Sequence, residues 1–322
     1  MKTTVVGAYP KISDEHQDLR RALHKQDRGE LDDAGLAGVL DDTTTWAIGE
    51  IEAAGIEVVN DGQIRWDDLL ARFAGAWRNT ERGPLERFYD NNTYFRQPVI
   101  SGPIETDGRT LVPDFIKAKA IAKRELKAAI CGPLTFATLT AHDSQYKDLE
   151  ARTLAVADAL AAELRGLKAA GAKLVDVEEP ALAAHPELID LARAAFDRLA
   201  KAGVDLALYP YFFPNTNLIQ ALGGFPIAQL GVDVRSREHS PDAIDRLGAV
   251  KQVVVLGVVD ARNTRVESAR EIGELVEAAQ KKVDADRLWV SPTTGLEYLP
   301  HDVAVKKLAA LADAARVTGG VR

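Results

Sequence analysis

LEARTLAVADALAAELRGLKAAGAKLVDVEEP, residues 149–180, carries the unit that decides the fold. Its first part (149–171) repeats Ala and Leu at helical spacing and stops at Gly171, a residue suited to the left-handed turn that ends a helix. Its second part, AKLVDVEEP (172–180), is a short β-branched run closed by proline. Seven further runs of this kind occur: TTVVG (3–7), IEVVNDG (56–62), LKAAICG (126–132), VDLALYPY (204–211), PIAQLGVD (226–233), KQVVVLGVVD (251–260) and RLWVSPTTG (287–295). Helical patterns such as LIDLARAAFDRLAKAG (188–203) and SAREIGELVEAAQKKV (268–283) separate them. Alternating strand and helix predicts a parallel sheet covered by helices. Eight such units in 322 residues predict a (β/α)8 TIM barrel. No G-x-G-x-x-G follows a strand, which argues against a dinucleotide-binding sheet.

The whole chain, 1–322, reads as one barrel domain with two departures from the repeat. A charged helical stretch fills about 14–54. An excursion at about 82–125 separates the second and third strand runs. It includes FYDNNTYFRQPVISGPIETDGRTLVPD (88–114), with turns expected at Gly102-Pro103 and Asp107-Gly108, and is expected to lie over the barrel mouth. The tail ARVTGGVR (315–322) is expected to fray.

Composition narrows the function classes. The chain is 46% hydrophobic and 27% charged, with a net charge of −8 and a pI near 5.4. It has no basic stripe, so nucleic acid is not expected as a partner. Its apolar runs are too short for a membrane span. MKTTVVGAYP enters a strand pattern directly, without a signal-peptide core, and a cytoplasmic location is expected. Cys131 is the one cysteine, which rules out an internal disulfide and a cysteine metal cluster. Met1 is the one methionine; compositional drift or economy of sulfur would each produce that scarcity.

In such barrels the chemistry sits at the C-terminal strand ends. Alternation points Val175 and Val177 outward and Asp176 and Glu178 inward. By the same rule Tyr209 and Tyr211 point inward from the fifth strand, which must end at Pro210 because proline donates no ladder hydrogen bond. Gln229 and Asp233 point inward from the sixth. Asp61 and Gln63 end the second strand, Asp260 the seventh, and Thr293 and Thr294 the eighth. Two neighbouring buried carboxylates can keep one protonated as a general acid. Arginines or backbone N–H groups could instead neutralise them, and the phenols could simply pack at the rim and bond to those acids. Glu179 should lie on the other face, in a structural role. No His-x-x-His or His-x-Cys occurs, so the residues present no transition-metal motif.

Six stretches together resemble the cobalamin-independent methionine synthase family. They are VVGAYPKI (5–12), GIEVVNDGQIRWDDLLARF (55–73), ICGPLTFATL (130–139), VDVEEPAL (175–182), VVVLGVVDARNTRVES (253–268) and LWVSPTTGLEYLP (288–300). Their order and spacing fit over nearly the whole chain. The resemblance implies a barrel of the methionine synthase or uroporphyrinogen decarboxylase-like type. RFYDNNTYF (87–95) also resembles the N-terminal half of the long two-barrel enzymes, the half without metal.

The resemblance further implies methyl transfer from methyltetrahydrofolate to homocysteine, on a zinc held by His-x-Cys after strand five, Glu after strand six and Cys after strand eight. Here Tyr209 and Tyr211 stand for the His and Cys, Asp233 for the Glu, and Thr294 for the second Cys. Phenols and hydroxyls are poor zinc donors, so the family zinc site is expected to be lost and no metal ligands are assigned. The amino acid docking positions differ too: Ala8 replaces a Ser, Gln63 an acidic residue, and Glu178 an Asp. The family's aromatic folate platform is not evident in ATLTAHD (137–143). With no cofactor assigned, methyltetrahydrofolate remains a candidate substrate.

Three readings follow. The first is a one-carbon or sulfur-metabolism enzyme without zinc. In it Glu178, Asp233 and Tyr209 do acid–base chemistry, while Asp61, Gln63, Asp176, Tyr211, Asp260 and Thr294 hold a small-molecule substrate. The second is a methionine synthase proper that uses a protein partner or an atypical metal. The third is a non-catalytic binding or partner subunit.

Overall fold

The computed structural model describes residues 1–89, 91–213, 215–236 and 242–319. Its strands, in chain order, are β1 (Lys2–Thr3), β2 (Val58–Val59), β3 (Arg78–Arg87), β4 (Tyr94–Glu105), β5 (Glu125–Leu126), β6 (Ala128–Cys131), β7 (His142–Asp143), β8 (Leu174–Glu178), β9 (Asp205–Tyr209), β10 (Gln229–Asp233), β11 (Val253–Val259) and β12 (Leu288–Pro292). Each of the eight expected runs overlaps a strand, the first of them at Thr3 alone. β9 stops at Tyr209, one residue before Pro210. The fold is α/β, built on parallel strands.

Two compact units divide the chain. One holds Met1–Arg65, Lys117–Lys127 and Val232–Arg322; the other holds Trp66–Ile116 and Ala128–Gly231. The division falls after Arg65, after Ile116, after Lys127 (between β5 and β6) and after Gly231 (inside β10).

In the first unit β11 pairs parallel with β12, and β12 with β1. The end of β10 joins through Val234, whose N–H donates to the Gly257 carbonyl at 3.2 Å. Thr4 bridges Val58 in parallel, β2 pairs with β5, and Lys127 N–H donates to the Val59 carbonyl at 2.9 Å. The charged stretch after β1 forms two helices, Asp18–Asp27 and Asp33–Ala53; the Asp32 side chain caps the second by accepting from Gly35 N–H.

In the second unit β6, β8, β9 and the start of β10 lie side by side, all parallel. β8 is buried at all five positions, as a parallel strand covered on both faces must be. The helix Leu149–Ala169 precedes it, capped by Asp148 and ended at Gly171 with φ +95°. Buried Glu163 on this helix accepts from Trp77 Nε1, Thr106 Oγ1 and both the N–H and Oγ1 of Thr110, at 2.7–2.9 Å. This carboxylate ties the excursion to the helix.

The excursion is an ordered antiparallel pair, β3 with β4, followed by the helix Val112–Ile121. The expected turn at Gly102-Pro103 is instead inside β4, where the register with β3 shifts between Arg78 and Thr80. Proline is tolerated there because the strand bulges; Asn79, at φ 60°, donates its Nδ2 to the Pro103 carbonyl. Gly108 does make a turn, at φ +71°. The tail expected to fray is helical as far as Gly319, in a helix that begins at His301; residues 320–322 lie outside the described residues. No helix among the described residues is long and apolar enough to cross a membrane.

Candidate active site

The parallel register of the second unit arranges its strand-end side chains in rows. Glu178 pairs with Cys131 on one side and Tyr209 on the other. One layer earlier Asp176 pairs with Ala129 and Ala207, and Ala207 with Gln229. Paired positions in a parallel sheet share a face, so Asp176 and Glu178 stack on one face, with small alanines flanking the deeper acid. Asp176, Glu178, Tyr209 and Tyr211 are all buried.

Tyr211 donates its hydroxyl to Glu178 Oε2 at 2.7 Å. It reaches that position because the chain turns sharply after Pro210. Phe212 takes φ 75°, a conformation costly for a residue with a Cβ. Asn215 Nδ2 closes the turn onto the Pro210 carbonyl at 2.8 Å. The Tyr209 ring packs against Gly231, where an added Cβ would come within 2.3 Å of it. Burial, then the nearby Asp176 and Glu178, push its phenol well above the ordinary range, so it keeps its proton.

Two further groups lie near this row. Glu179 is buried and accepts from Leu134 N–H at 2.9 Å, Thr135 N–H at 2.6 Å and the Thr135 hydroxyl, at the start of the helix Pro133–Thr138. A Cβ on Gly132 would fall 2.3–2.6 Å from its carboxyl atoms, so glycine makes the room. Burial still raises its pKa from 4.5 to about 7 against these bonds. Its role is structural, as alternation suggested, but its partners could not be read from EEP alone. The Cys131 thiol is pushed up by burial and by Glu179 and Glu178, which leaves it a poor nucleophile.

The first unit holds the other expected residues. Its three carboxylates all serve their own loops. Asp61 Oδ1 accepts from Gln63 N–H at 2.9 Å, with Gln63 at φ 50°. Asp233 Oδ1 accepts from Arg235 and Ser236 N–H at 2.8 and 2.9 Å, and its Oδ2 from the Ser236 hydroxyl. Asp260 accepts from Arg262 N–H at 2.8 Å and from Asn263 Nδ2. These are Asx-type turns that shape strand-end loops.

β10, β11 and β12 converge where Gly257 stands; a Cβ there would be 3.0 Å from Thr293 Cα and 3.3 Å from Asp233 Cα. Thr293 Oγ1 accepts from Ala261 N–H at 3.1 Å, and Thr294 is buried beside it. A pair that the sequence did not reveal anchors this corner. Buried Lys307 donates to Glu267 Oε2 at 2.8 Å, while Glu267 Oε1 accepts from Asp260 N–H at 3.0 Å. Ala8 is held from above, its carbonyl accepting from Leu296 and Glu297 N–H at 2.9 and 3.2 Å.

Residues 70–284 match the family model described as cobalamin-independent synthase, N-terminal domain. The chain belongs to the cobalamin-independent synthase family. Relatives in this family include the methionine synthase of Sulfurisphaera tokodaii, 27% identical over 311 residues that cover 96% of this chain and 89% of that protein. The methionine synthase of Saccharolobus solfataricus is 26% identical over 328 residues, covering 98% and 94%. The fold matches that of a B12-independent methionine synthase from Shewanella sp. W3-18-1 in complex with selenomethionine, with a TM-score of 0.84 and 21% identity over 99% and 98% of the two chains. It also resembles a methyltransferase from Methanosarcina mazei, with a TM-score of 0.59 and 16% identity over 96% and 94%. Among the described residues, no group of three His, Cys, Asp or Glu side chains is placed to hold a metal ion.

Proposed function

We propose that this member of the cobalamin-independent synthase family is a methyltransferase-type enzyme acting on a small molecule, with a buried carboxylate in place of the family zinc. The observation that carries this reading is the 2.7 Å hydrogen bond from Tyr211 to Glu178. At a position where the resemblance implies a metal ligand, a phenol orients an acid instead. The remaining donors at those positions suit zinc no better. Tyr209 keeps its proton and packs on Gly231, Asp233 spends both oxygens on its own turn, and Thr294 is a hydroxyl.

In this reading Glu178 takes the proton from the acceptor atom as that atom bonds to the methyl group; the donor–methyl bond breaks, its electron pair leaves with the donor, which takes up a proton, and Tyr211 fixes the orientation of Glu178. Placed proton transfer contributes about a hundred- to ten-thousand-fold in rate. Asp233 is the weaker candidate for acid–base work because its turn occupies it. Methyltetrahydrofolate is the donor to try first. The strand–helix repeat is read as the (β/α)8 type expected from the sequence; within the first unit the Thr4–Val58 bridge and the Lys127–Val59 hydrogen bond carry the parallel strands on through β2.

The test is elemental mass spectrometry of tag-free protein grown with zinc, paired with rescue of a methionine auxotroph. Less than about a tenth of an equivalent of zinc is expected, together with loss of turnover in Glu178→Gln. Stoichiometric zinc with rescue would instead favour a methionine synthase using an atypical metal site, the reading that near-full-length similarity to proteins of that name supports.

A further inference from the structure

The tip of the excursion reaches the strand-end row of its own unit. Between β3 and β4 the chain turns through Phe88 and Tyr89, and Tyr89 stands at φ 50°, in the left-handed region. Its ring meets the turn that follows β9. The ring centroid lies 5.3 Å from that of Phe213 and 6.3 Å from that of Phe212. Phe212 in turn packs edge-on at 4.6 Å against Tyr211, the residue that orients Glu178.

The Tyr89 hydroxyl is buried and makes no hydrogen bond among the described residues. It stands beside the Thr135 side chain and within electrostatic reach of Glu179 and Cys131. Burial, then Glu179, push the phenol well above its ordinary range, so it keeps its proton and has a donor to offer. Its neighbours are already committed. Thr135 gives its own proton to Glu179 and accepts from Ala181 N–H at 3.1 Å. Glu179 accepts from Leu134 N–H, Thr135 N–H and the Thr135 hydroxyl.

Nearly all buried polar groups in folded proteins are paired, so an unpaired hydroxyl calls for an occupant. A lone water suits the place poorly. It needs about two to four polar partners, and here the polar neighbours are spent and Phe88, Phe212 and Phe213 surround the phenol. One side is open to a ligand. Phe88, Phe95 and Phe212 are buried, whereas Tyr89 and Phe213 are half-buried and form the accessible edge of the aromatic cluster. A ligand entering along that edge lays an apolar part on these two rings and brings a lone pair to the phenol.

We propose that Tyr89 is a substrate-contacting residue of this site, its hydroxyl donating to a lone-pair atom of the methyl acceptor while the acceptor's apolar part lies on Tyr89 and Phe213. The proposal rests on the methyl-transfer reading and adds to it the residue by which the excursion holds the acceptor.

The test compares wild type, Tyr89→Phe and Tyr94→Phe, the last an exposed phenol on the same excursion. Melting without ligand comes first. Removing a hydroxyl that has no protein partner should leave the melting temperature of Tyr89→Phe unchanged or higher. Calorimetric titration with L-homocysteine and steady-state kinetics with methyltetrahydrofolate as donor follow. Tyr89→Phe should weaken homocysteine binding and raise its KM by about tenfold, the share of one donated hydrogen bond. The KM for methyltetrahydrofolate and kcat should change far less, and the pH profile should not move, because the phenol carries its proton throughout. Tyr94→Phe should match wild type in each measurement. The proposal is overturned by a lower melting temperature in Tyr89→Phe, which would make the hydroxyl a structural group. It is also overturned by equal homocysteine affinity in wild type and Tyr89→Phe, a result that leaves the methyl-transfer reading standing. Wild-type protein that neither binds homocysteine nor transfers a methyl group defeats that reading itself, and this proposal with it.

Discussion

The Tyr211 hydroxyl and the Glu178 carboxyl meet at 2.7 Å, both buried, on a turn that holds Phe212 at φ 75°. Removing the hydroxyl in Tyr211→Phe leaves a buried acceptor without that donor, at a cost of about 1–3 kcal/mol. Urea denaturation should show this loss. Turnover should fall more than apparent substrate affinity, because the acid is still present but no longer oriented. Unchanged stability and turnover together would remove Tyr211 from the site.

Glu179 gives the fold a pH dependence of defined sign. Its pKa is raised by burial from 4.5 to about 7. The folded state therefore binds this proton more tightly than the unfolded chain does. The associated stability is fully present below about pH 4.5 and is lost as pH rises through about 7, an effect on the order of 3 kcal/mol. Denaturation curves between those limits should slope downward for the wild type more steeply than for Glu179→Gln. Parallel slopes would show that the carboxylate is already ionised at the lower limit.

Gly231 is required by its neighbour and not by its backbone. A methyl group there would lie 2.3 Å from Tyr209 Cδ1, so Gly231→Ala must push the ring aside, at about 1–3 kcal/mol. The same substitution in a Tyr209→Ala background should be close to neutral. A thermal-melting cycle over the four proteins checks this; an equal penalty in both backgrounds would place the strain in the strand itself.

Lys307 and Glu267 are paired at 2.8 Å and nearly fully buried. Lys307→Met takes its nearest cation from a buried carboxylate, leaving it Arg235 Nε at 3.8 Å, and should cost about 3 kcal/mol. The double variant Lys307→Met/Glu267→Gln should recover a large part of that loss. It should still disturb the Asp260 loop, whose N–H depends on Glu267 Oε1. A double-mutant cycle in chemical denaturation measures the coupling.

The sequence by itself determined the repeat, and through it the α/β fold. Runs such as LVDVE (174–178), each set between helical patterns, read as strands of a parallel sheet, and Pro210 and Gly171 punctuate the chain by local chemistry alone. Alternation also placed Asp176 and Glu178 on one face, since a period of two is a property of a strand in isolation. Partners were decided by the tertiary structure. Whether Tyr211 reaches Glu178 depends on a turn whose strained φ no propensity announces. Asp61, Asp233 and Asp260 looked alike as strand-end acids, and only the folded loops show each one holding its own backbone. The Gly102-Pro103 pair signalled a turn and produced a bulge, because β3 alongside could absorb the missing donor. Tyr89, Thr135 and Glu179 come together from three separate stretches of chain, over distances at which spacing carries no information.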